Sequence, residues 1–494
     1  MSPNKYRISA LDCSMVRHMK ILLLNPQPER DIVISRDHMG GFGFEIKSTN
    51  MTPPLSLAYC AAVLEKLGHE VEILDAVALR LGPARVLERM KSGNYALAAV
   101  STATPSIADD LAIANAIKES CPKTFVVLLG PHVTVFSEEA LKESRADAVV
   151  RGEPEYTIAD LASALAQGKP VEGIPGLSIK SGAGLKRLPD RPFIADLDSL
   201  PFPARHLLPM DKYCSAVWGK KPFTTMLTSR GCHYGCIYCP YRIGQGTEWR
   251  ARSPHNVVEE IEECVRRHGV REILFRDPLF TADKERALRI SELIVERGIK
   301  VDWRCETRAD LATEDMIEAF ARSGCKEINF GVESGSSEIL KGVKRIPISA
   351  ERIRGLFDKC RRMGIETMAF FIIGLPGETE ATVEATVQLA IGLNPDVAQF
   401  TAATPYPNTL YYEQLKREGL CTQDWSLFTS RAPVVGTRDL SPDKLQNLIS
   451  RAYRRFYFRP SYMLMRAKRL RHPREIVRLS KGLWSALRYA GLSR

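Results

Sequence analysis

The sequence predicts an α/β protein: a doubly wound, Rossmann-like sheet, then a partial (βα)6 barrel of TIM type, then a helical C-terminal region. Three observations predict this class. Short apolar runs alternate with helical stretches along residues 19–169 and again along 223–425, which is the pattern of strand–helix units in parallel sheets. A stretch rich in Pro and Gly, 170–222, separates the two series. The sequence beyond 425 turns helical and basic.

The composition indicates a globular chain of two or three domains. Its 494 residues are 45% hydrophobic and 26% charged, which is ordinary for folded domains. No apolar run reaches the roughly 18 residues of a membrane span, and residues 1–18 form an extension without the apolar segment of a secretory signal. Twelve cysteines in such a chain favour a reducing compartment and a metal site over disulfides. We therefore expect a cytoplasmic protein.

The N-terminal domain, residues 19–169, is predicted from five apolar runs of strand length, at 20–24, 70–74, 97–101, 125–129 and 148–150. Helices are predicted between them at 54–67, 107–119 and 137–144. Ligands of a doubly wound sheet bind beyond the carboxyl ends of its strands. The segments at those ends are Asn25–Gln27, Thr102–Thr104, Gly130–His132 and Arg151–Glu153.

The barrel, residues 223–425, follows the linker 170–222, whose periodicity is weak. Its helices fall between the strands, as at 254–268, where Ser253 is the predicted N-cap and Pro254 opens the first turn. Active sites of such barrels lie at the C-terminal ends of the strands. The six predicted strands are 224–228, 272–276, 299–303, 326–332, 367–373 and 397–403.

A cysteine motif follows the first barrel strand with the spacing C-x3-C-x2-C. Its members are Cys232, Cys236 and Cys239. Three thiolates can hold a [4Fe–4S] cluster and leave one iron free for another ligand. The alternative is a zinc site with His233 or Cys214 as the fourth ligand, although zinc motifs usually combine two spaced ligand pairs.

This motif, with Tyr238 directly before the last cysteine, resembles the signature of the radical SAM superfamily. The resemblance covers roughly residues 20–470. It implies that the free iron of a [4Fe–4S] cluster binds S-adenosylmethionine (SAM), and that an electron from the cluster cleaves SAM to methionine and a 5′-deoxyadenosyl radical. A reductant such as flavodoxin or ferredoxin is implied as a partner.

The ends of the later strands resemble the SAM-binding elements of that superfamily. Asp277 lies in a segment similar to D-D-x-F-T near the SAM amino group, and a helix cap is its alternative role. Arg308 resembles a contact to the SAM carboxylate or to substrate, with a plain salt bridge as the alternative. Glu333 and Ser334 resemble contacts to the ribose or methionine part, and Gly374 resembles a glycine near the adenine. The SAM-binding residues implied are Tyr238, Asp277, Arg308, Glu333, Ser334 and Gly374.

The α/β domain, with Leu-Leu-Asn-Pro at its first strand, resembles the cobalamin-binding class of radical SAM enzymes. Cobalamin domains of the methionine synthase type carry D-x-H-x-x-G, whose His ligates cobalt. This chain departs from that pattern, because Asp37 directly precedes His38. We therefore expect cobalt without a protein His. The implied cobalamin contacts, small residues that ordinary tight turns also use, are Thr102, Thr104, Gly130, Pro131 and Gly152.

The resemblance predicts a cobalamin-dependent radical SAM methyltransferase acting on an unactivated carbon of a small-molecule or lipid-like substrate. In that class, one SAM methylates cobalamin and a second supplies the radical that removes hydrogen from the substrate. The anaerobic Mg-protoporphyrin ester cyclase belongs to the same class, so an oxidative cyclase is the alternative. A non-catalytic cobalamin or metal sensor is a third reading, which the full set of barrel motifs disfavours.

The region 426–494 is predicted to be helical, and the net charge of +11 that the whole chain carries comes from its end. Residues 451–494 contain thirteen Lys or Arg and one acid, so the remaining residues sum to about −1. Nucleic-acid binding is not expected, because the charge is not spread over a groove and no reading module is present. The aromatic and aliphatic residues of this tail predict either packing on the barrel or peripheral contact with an anionic membrane.

Overall fold

The computed structural model describes residues 18–30, 32–46, 50–182, 184–215 and 221–468. Apart from His18, the predicted N-terminal extension lies outside these ranges, as does the tail beyond residue 468. The described residues form two compact units. The first comprises those up to Cys214 together with Pro240–Asn256, and the second comprises Ser215–Cys239 together with those from Val257 onward. None of the helices in the described ranges has the length and apolar character that crossing a membrane requires.

Within the described ranges, nine strands precede residue 190: β1 (Lys20–Asn25), β2 (Val33–Ser35), β3 (Phe44–Ile46), β4 (Glu70–Asp75), β5 (Leu97–Ser101), β6 (Phe125–Leu129), β7 (Ala148–Val150), β8 (Leu177–Ser181) and β9 (Gly184–Arg187). Seven of them form one sheet in the order β4-β1-β5-β6-β7-β8-β9, and β2 pairs with β3 in a separate hairpin. The first five strands of the sheet are parallel. Strands β5 and β7 are buried along their whole length, which their unbroken apolar runs require.

The helices of this part of the chain cover the sheet: α1 (Leu55–Lys66), α2 (Ala76–Leu79), α3 (Pro83–Gly93), α4 (Ile107–Ser120), α5 (Pro131–Val135), α6 (Ser137–Glu143) and α7 (Pro154–Ala166). The five predicted parallel strands and the three predicted helices are confirmed to within one residue at each end. Strands β8 and β9 lie within the stretch expected to be a linker, and they add to the sheet in antiparallel fashion. The apolar pattern of β9 is weak in the sequence because it is an edge strand with only one half-buried residue among four.

The segment Pro240–Asn256, directly after the last cysteine of the motif, belongs to the first unit. It contains α8 (Tyr241–Gln245). Arg250 and Glu153 of this unit form a buried ion pair at 3.0 Å. A Cβ on Gly244 would collide with the carbonyl oxygen of Gly40, so the two backbones pack against each other with no side chain between them.

The second unit contains a six-stranded parallel sheet in sequence order. Its strands are β10 (Phe223–Met226), β13 (Glu272–Phe275), β14 (Asp302–Arg308), β15 (Cys325–Glu333), β16 (Glu366–Ile373) and β17 (Val397–Ala402); the short strands β11 (Ser229–Arg230) and β12 (Arg250–Ala251) lie outside it. Six parallel strands in this order confirm the predicted partial barrel architecture.

The predicted position of the third barrel strand is wrong. We expected it at 299–303, and it runs from Asp302 to Arg308. One face of β14 packs Trp303 against an aromatic cluster, while the opposite face carries charged residues that are paired: Arg304 with Glu272 at 3.0 Å and Glu306 with Arg276 at 2.6 Å. Ion pairs inside the barrel hide the strand from a hydrophobic pattern.

The helices of the second unit are α9 (Pro254–His268), α10 (Lys284–Glu296), α11 (Glu314–Arg322), α12 (Ser337–Gly342), α13 (Ala350–Arg362), α14 (Glu380–Leu393), α15 (Leu410–Arg417), α16 (Pro442–Tyr457) and α17 (Pro460–Lys468). The described part of the basic tail packs on the last strand. The Phe400 backbone N–H donates to the Tyr453 hydroxyl at 3.2 Å, and the Tyr457 hydroxyl donates to the Ala398 carbonyl at 2.9 Å. Packing on the barrel is therefore confirmed for this part of the tail.

Candidate functional site

The cysteine motif forms a loop at the C-terminal end of the first barrel strand. The loop begins after β11, where Gly231 has a φ of +82°, a conformation that glycine adopts without strain. Cys232 and Cys236 are 8% and 9% exposed, and Cys239 is half-buried. The Cys239 backbone N–H donates to the Cys236 carbonyl at 3.2 Å, which closes a turn around the second and third cysteines.

The middle of this loop is fixed to two other segments of the barrel. The Ile237 N–H donates to the Val343 carbonyl at 3.3 Å, and the Ile237 carbonyl accepts from the Tyr411 N–H at 3.1 Å. Three thiols on such a fixed loop suit a cube-shaped [4Fe–4S] cluster, in which each thiolate binds a different iron. His233 is exposed, and its ring lies at a tilt against the Tyr234 ring with 4.4 Å between the centroids. No three His, Cys, Asp or Glu side chains within the described ranges are grouped closely enough to hold a single metal ion.

Asp277 lies at the end of the second barrel strand with none of its surface exposed. Its oxygens accept from the Thr228 N–H at 2.7 Å, the Ser229 hydroxyl at 2.8 Å and the Thr228 hydroxyl. Burial raises the pKa of the carboxyl, against the opposing effects of Arg286 and these donors. Asp277 thus holds the residues that lead into the cysteine loop, which differs from the SAM contact that the resemblance implied.

Arg308, at the end of β14, is held by contacts on all sides. Its Nε and Nη2 donate to the two oxygens of Asp310, each at 2.8 Å. The guanidinium lies 3.9 Å from the centroid of the Tyr234 ring, and Nη1 donates to the Cys236 sulfur at 3.8 Å. A guanidinium fixed in this way places positive charge beside the Cys236 sulfur.

Glu333 ends β15 in a left-handed conformation, with φ +72°, next to a register shift between β15 and β16. It is paired with Arg345 at 3.4 Å. Burial raises the pKa of both Glu333 and Tyr238. Backbone strain of this kind persists only where the surroundings fix it, and it concentrates at functional sites.

The remaining two predicted SAM residues lie at neighbouring strand ends. The Ser334 hydroxyl is 3.2 Å from the Thr386 hydroxyl and accepts from the Ser336 N–H. Gly374 has a φ of +96°, and its N–H donates to the Glu378 carboxylate at 2.5 Å. Burial raises the pKa of Glu378 to about 7. All the predicted SAM residues thus lie at the C-terminal edge of the barrel sheet.

The predicted cobalamin contacts lie at the C-terminal edge of the first sheet. The Thr102 hydroxyl donates to the Leu129 carbonyl at 3.0 Å, and the Thr104 hydroxyl is 3.1 Å from Nδ1 of His132. Burial lowers the pKa of His132 to about 3, so its ring is neutral. A Cβ on Gly130 would lie 2.6 Å from the Thr102 carbonyl oxygen. Both threonines are thus fully buried and bonded inward.

Pro131 and Gly152 complete that edge. Pro131 opens α5 and lies so close to Gly41 that a Cβ there would be 2.7 Å from the proline ring. Gly152 has a φ of +74°, and no atom lies within 4 Å of where its Cβ would stand. Of the five predicted contacts, Gly152 therefore has the most open surroundings.

His38 lies between β2 and β3. Its Nδ1 is 2.6 Å from the Ser35 hydroxyl, and its ring stacks on Phe44. Arg36 instead extends to the sheet edge, where it donates to Asn25 at 2.9 Å and pairs with the fully buried Asp110. This buried ion pair occupies the end of β1.

Sequence reasoning missed three residues that hold these sites. Arg345 stands in a run of basic residues, and only the turn after α12 directs it inward to Glu333. Arg36 and Asp110 are separated by 74 positions, and their pairing depends on the hairpin that precedes α1. Arg36 stands in the segment Arg36-Asp37-His38, in which only His38 was considered, as a possible cobalt ligand.

Comparison with known proteins matches both regions of the chain. The model of the radical SAM superfamily matches residues 226–390, and that of the B12 binding domain matches residues 45–162. An uncharacterized methyltransferase of Pyrococcus horikoshii is 34% identical over 90% of this chain and 94% of its own length. The anaerobic magnesium-protoporphyrin IX monomethyl ester cyclase of Cereibacter sphaeroides is 27% identical over 82% of this chain and 67% of its own length.

A solved structure shares the fold. The radical S-adenosylmethionine methyltransferase TsrM of Kitasatospora setae, determined with tryptophan and a SAM analogue, aligns with a TM-score of 0.67 at 21% identity. The alignment covers 81% of this chain and 76% of that one.

Proposed function

This chain belongs to the B12-binding family of radical SAM enzymes, and we propose that it methylates an unactivated carbon of a small-molecule or lipid-like substrate. Its cofactors are a [4Fe–4S] cluster, SAM and cobalamin. When bound, they supply the radical and the methyl group of the reaction. The chain's own residues hold and orient these groups.

One observation carries the proposal: three cysteines lie on a fixed loop at the mouth of a partial barrel, in a chain that also has a doubly wound sheet with a glycine-lined edge. The cysteines Cys232, Cys236 and Cys239 are proposed as the cluster ligands. The loop enters the site from Thr228 and Ser229, both held by Asp277. Asp277 is therefore proposed as a positioning residue, because its buried carboxylate has no open side toward a ligand.

Charged groups beside the cysteine loop support the same assignment. Arg308 is proposed to stabilise the Cys236 thiolate, since its other donors are taken by Asp310. Glu333, oriented by Arg345, is proposed to accept hydrogen bonds from SAM. Ser334 and Gly374, at adjacent strand ends, are proposed to complete that site through hydroxyl and backbone contacts.

The cobalamin site is proposed at the edge formed by Thr102, Thr104, Gly130, Pro131 and Gly152. The two threonines bond inward, so their role is to shape the edge, while Gly130 and Gly152 let the ligand approach the backbone. We propose that His38 does not ligate cobalt, because Asp37 directly precedes it, which departs from the D-x-H-x-x-G pattern of cobalamin domains whose His binds cobalt.

The test is anaerobic reconstitution followed by product analysis. The full chain is expected to bind about four iron and four sulfide and one cobalamin, and to release 5′-deoxyadenosine from SAM under reduction. With methyl-labelled SAM and a candidate substrate, the product should gain one labelled methyl group. Tightly bound zinc with no iron uptake, in protein purified without oxygen, would contradict the proposed [4Fe–4S] cluster and with it the proposed function.

An oxidative cyclase is the second candidate, favoured by the similarity to the Cereibacter sphaeroides cyclase. Both reactions would release 5′-deoxyadenosine, but only methylation adds the mass of a methyl group to the product. Loss of hydrogen without gain of label would therefore select the cyclase.

The basic tail bears on the substrate class. Tyr453 and Tyr457 pack on the barrel, whereas Met463 and Leu464 are 56% and 58% exposed on α17 beside basic residues. We propose weak contact of this end with anionic membranes, which would suit a lipid-like substrate. Co-sedimentation of the full chain and of residues 1–450 with anionic vesicles tests it. Equal recovery of both proteins in the supernatant would contradict the proposed membrane contact.

A further inference from the structure

The proposed function requires an electron from outside the protein, and the structure indicates where its donor docks. Two surface segments contact the backbone of Ile237, the residue after the second cysteine. Val343 accepts from its N–H, and Tyr411 donates to its carbonyl. Electron transfer slows steeply with distance, so a donor gains most by binding where the protein surface lies nearest this loop.

The first segment, Lys341–Ile346, carries both buried and exposed residues. Val343 is fully buried and Arg345 points inward to Glu333. Lys341, Lys344 and Ile346 face solvent, and Ile346 is 57% exposed. The second segment carries Leu410, which directly precedes Tyr411 and is 53% exposed. Both exposed aliphatic side chains thus adjoin the residues that hold the cysteine loop.

The turn that presents these residues is already formed. Lys344 has a left-handed φ of +58°. The Lys344 N–H donates to the Lys341 carbonyl at 3.0 Å, and the Arg345 N–H donates to the Leu340 carbonyl at 2.8 Å. A preformed surface loses little conformational entropy when a partner binds.

The charge around this turn is positive in a body that is otherwise near neutral. Outside residues 451–494 the chain sums to about −1. Within 337–354, the exposed charged residues are Lys341, Lys344, Arg352 and Arg354 against Glu338 and Glu351. A basic surface of this kind steers an acidic partner and raises its association rate. Electron-transfer complexes are small and weak, so a limited patch is sufficient.

We propose that an acidic one-electron carrier protein, of the flavodoxin or ferredoxin class, docks on the surface formed by Lys341, Lys344, Ile346 and Leu410. One electron passes from the carrier, which is oxidised, to the cluster, which is reduced. No bond forms or breaks in this step. The proposal rests on the proposed function and adds the surface by which its electron arrives.

The experiment measures the rate of cluster reduction, by absorbance under anaerobic conditions, in the full reconstituted chain. The donors are a reduced flavodoxin and, separately, dithionite. The variant is Lys341→Glu with Lys344→Glu. The control is Lys300→Glu, an exposed lysine just before β14, at the opposite end of the barrel strands. Iron content is measured for each protein.

With flavodoxin at low ionic strength, the double variant is expected to be at least about tenfold slower, while Lys300→Glu is unchanged. High salt should reduce the difference, because the charges are exposed. Dithionite, which needs no protein docking, should reduce all proteins equally. Ile346→Ser should slow reduction by flavodoxin without changing its salt dependence.

Equal rates for the double variant and the wild type with flavodoxin would overturn the proposal, as would equal slowing by Lys300→Glu. Slowing with both donors would also contradict it, because docking would then not be the affected step. A wild type that takes up iron but is not reduced by dithionite would instead count against the proposed function. The two failures are therefore distinguishable.

Discussion

The two sheets end in candidate sites whose predicted contact residues differ in kind. At the barrel edge, buried charged groups surround the cysteine loop and are paired with one another or bonded to the loop: Asp277, Arg308, Glu333 and Arg345. At the edge of the first sheet, the predicted contacts are hydroxyls, a proline and glycines, and the nearby His132 is neutral. The buried Arg36–Asp110 pair is bonded at the end of β1.

This contrast reflects what each site has to hold. Thiolates carry negative charge, and their position depends on fixed donors and on buried groups whose removal leaves other groups unpaired. A large ligand lying on a sheet edge depends on shape, so backbone conformation and small side chains decide its fit. Substitutions should therefore act through charge and loop position in the barrel, and through space in the first unit.

The largest effect is expected from the cysteines. Cys236→Ala removes one of the three proposed cluster ligands, and we expect that the remaining two thiolates do not retain a [4Fe–4S] cluster. Bound iron and 5′-deoxyadenosine release should both fall to background, with cobalamin binding retained. Iron analysis and cobalamin absorbance on the same sample check this. Loss of cobalamin together with iron would contradict the separation of the two sites.

The second largest effect is expected from Asp277→Ala. It leaves the Thr228 N–H and two buried hydroxyls without their acceptor, at a cost of about 3 kcal/mol. Iron retention should fall as well. Asp283→Ala, which removes the exposed N-cap of α10, is the matched control and should cost only about 1 kcal/mol with the cluster intact. Chemical unfolding and iron analysis compare them; similar losses in both would refute the positioning role.

A pair of glycines tests the role of space in the first unit. Gly130→Ala introduces a Cβ 2.6 Å from the Thr102 carbonyl oxygen at a φ of +133°, which we expect to cost about 3 kcal/mol and to weaken cobalamin binding. Gly152→Ala, in open surroundings at φ +74°, should cost about 1 kcal/mol. Thermal unfolding and cobalamin titration give the two values. The idea fails if Gly152→Ala proves the more damaging change.

Glu378 makes the barrel edge sensitive to pH. Burial raises the pKa of its carboxyl from 4.5 to about 7, so between these values the folded chain holds a proton that the unfolded chain has lost, and stability falls as pH rises. Between pH 5.5 and pH 8, the wild type should lose about 2 kcal/mol more than Glu378→Gln, which keeps an acceptor for the Gly374 N–H. Urea unfolding at both pH values measures it. Parallel pH profiles would show that the buried carboxyl is not the cause.

The smallest effect is expected from His38. Because Asp37 directly precedes His38, which departs from the D-x-H-x-x-G pattern, His38→Ala should leave the cob(II)alamin EPR spectrum of the loaded protein unchanged. A changed axial signal would mean that cobalt has a protein ligand, and the first unit would then depend on a donor group as the barrel does.

The same contrast explains how much of the molecule could be predicted. Strand β6 is apolar throughout and β5 is apolar except for Ser101 at its end, and the limits of both were predicted to the residue. Strand β14 was misplaced because Arg304 and Glu306 lie inside the barrel as ion pairs, and a pattern of apolar residues does not register them. A buried ion pair can be identified only from a structure, in which the positions of both partners are known.

The site residues divide in the same way. The cysteine spacing is local, so the loop could be predicted from eight consecutive residues. The partners of that loop come from distant strands. Thr228 and Asp277 are 49 positions apart, and Arg345 reaches its partner Glu333 through a left-handed turn at Lys344. Such contacts depend on register and turn geometry, which a single sequence does not state.

The segment Pro240–Asn256 has a consequence for the order of synthesis. The ion pair between Glu153 and Arg250, and the packing of Gly244 on Gly40, belong to the first unit but need residues made after the cysteine loop. Because a ribosome adds roughly 5–20 residues per second, the first unit waits several seconds for its last piece. The cysteine loop is therefore synthesised before the first unit is complete.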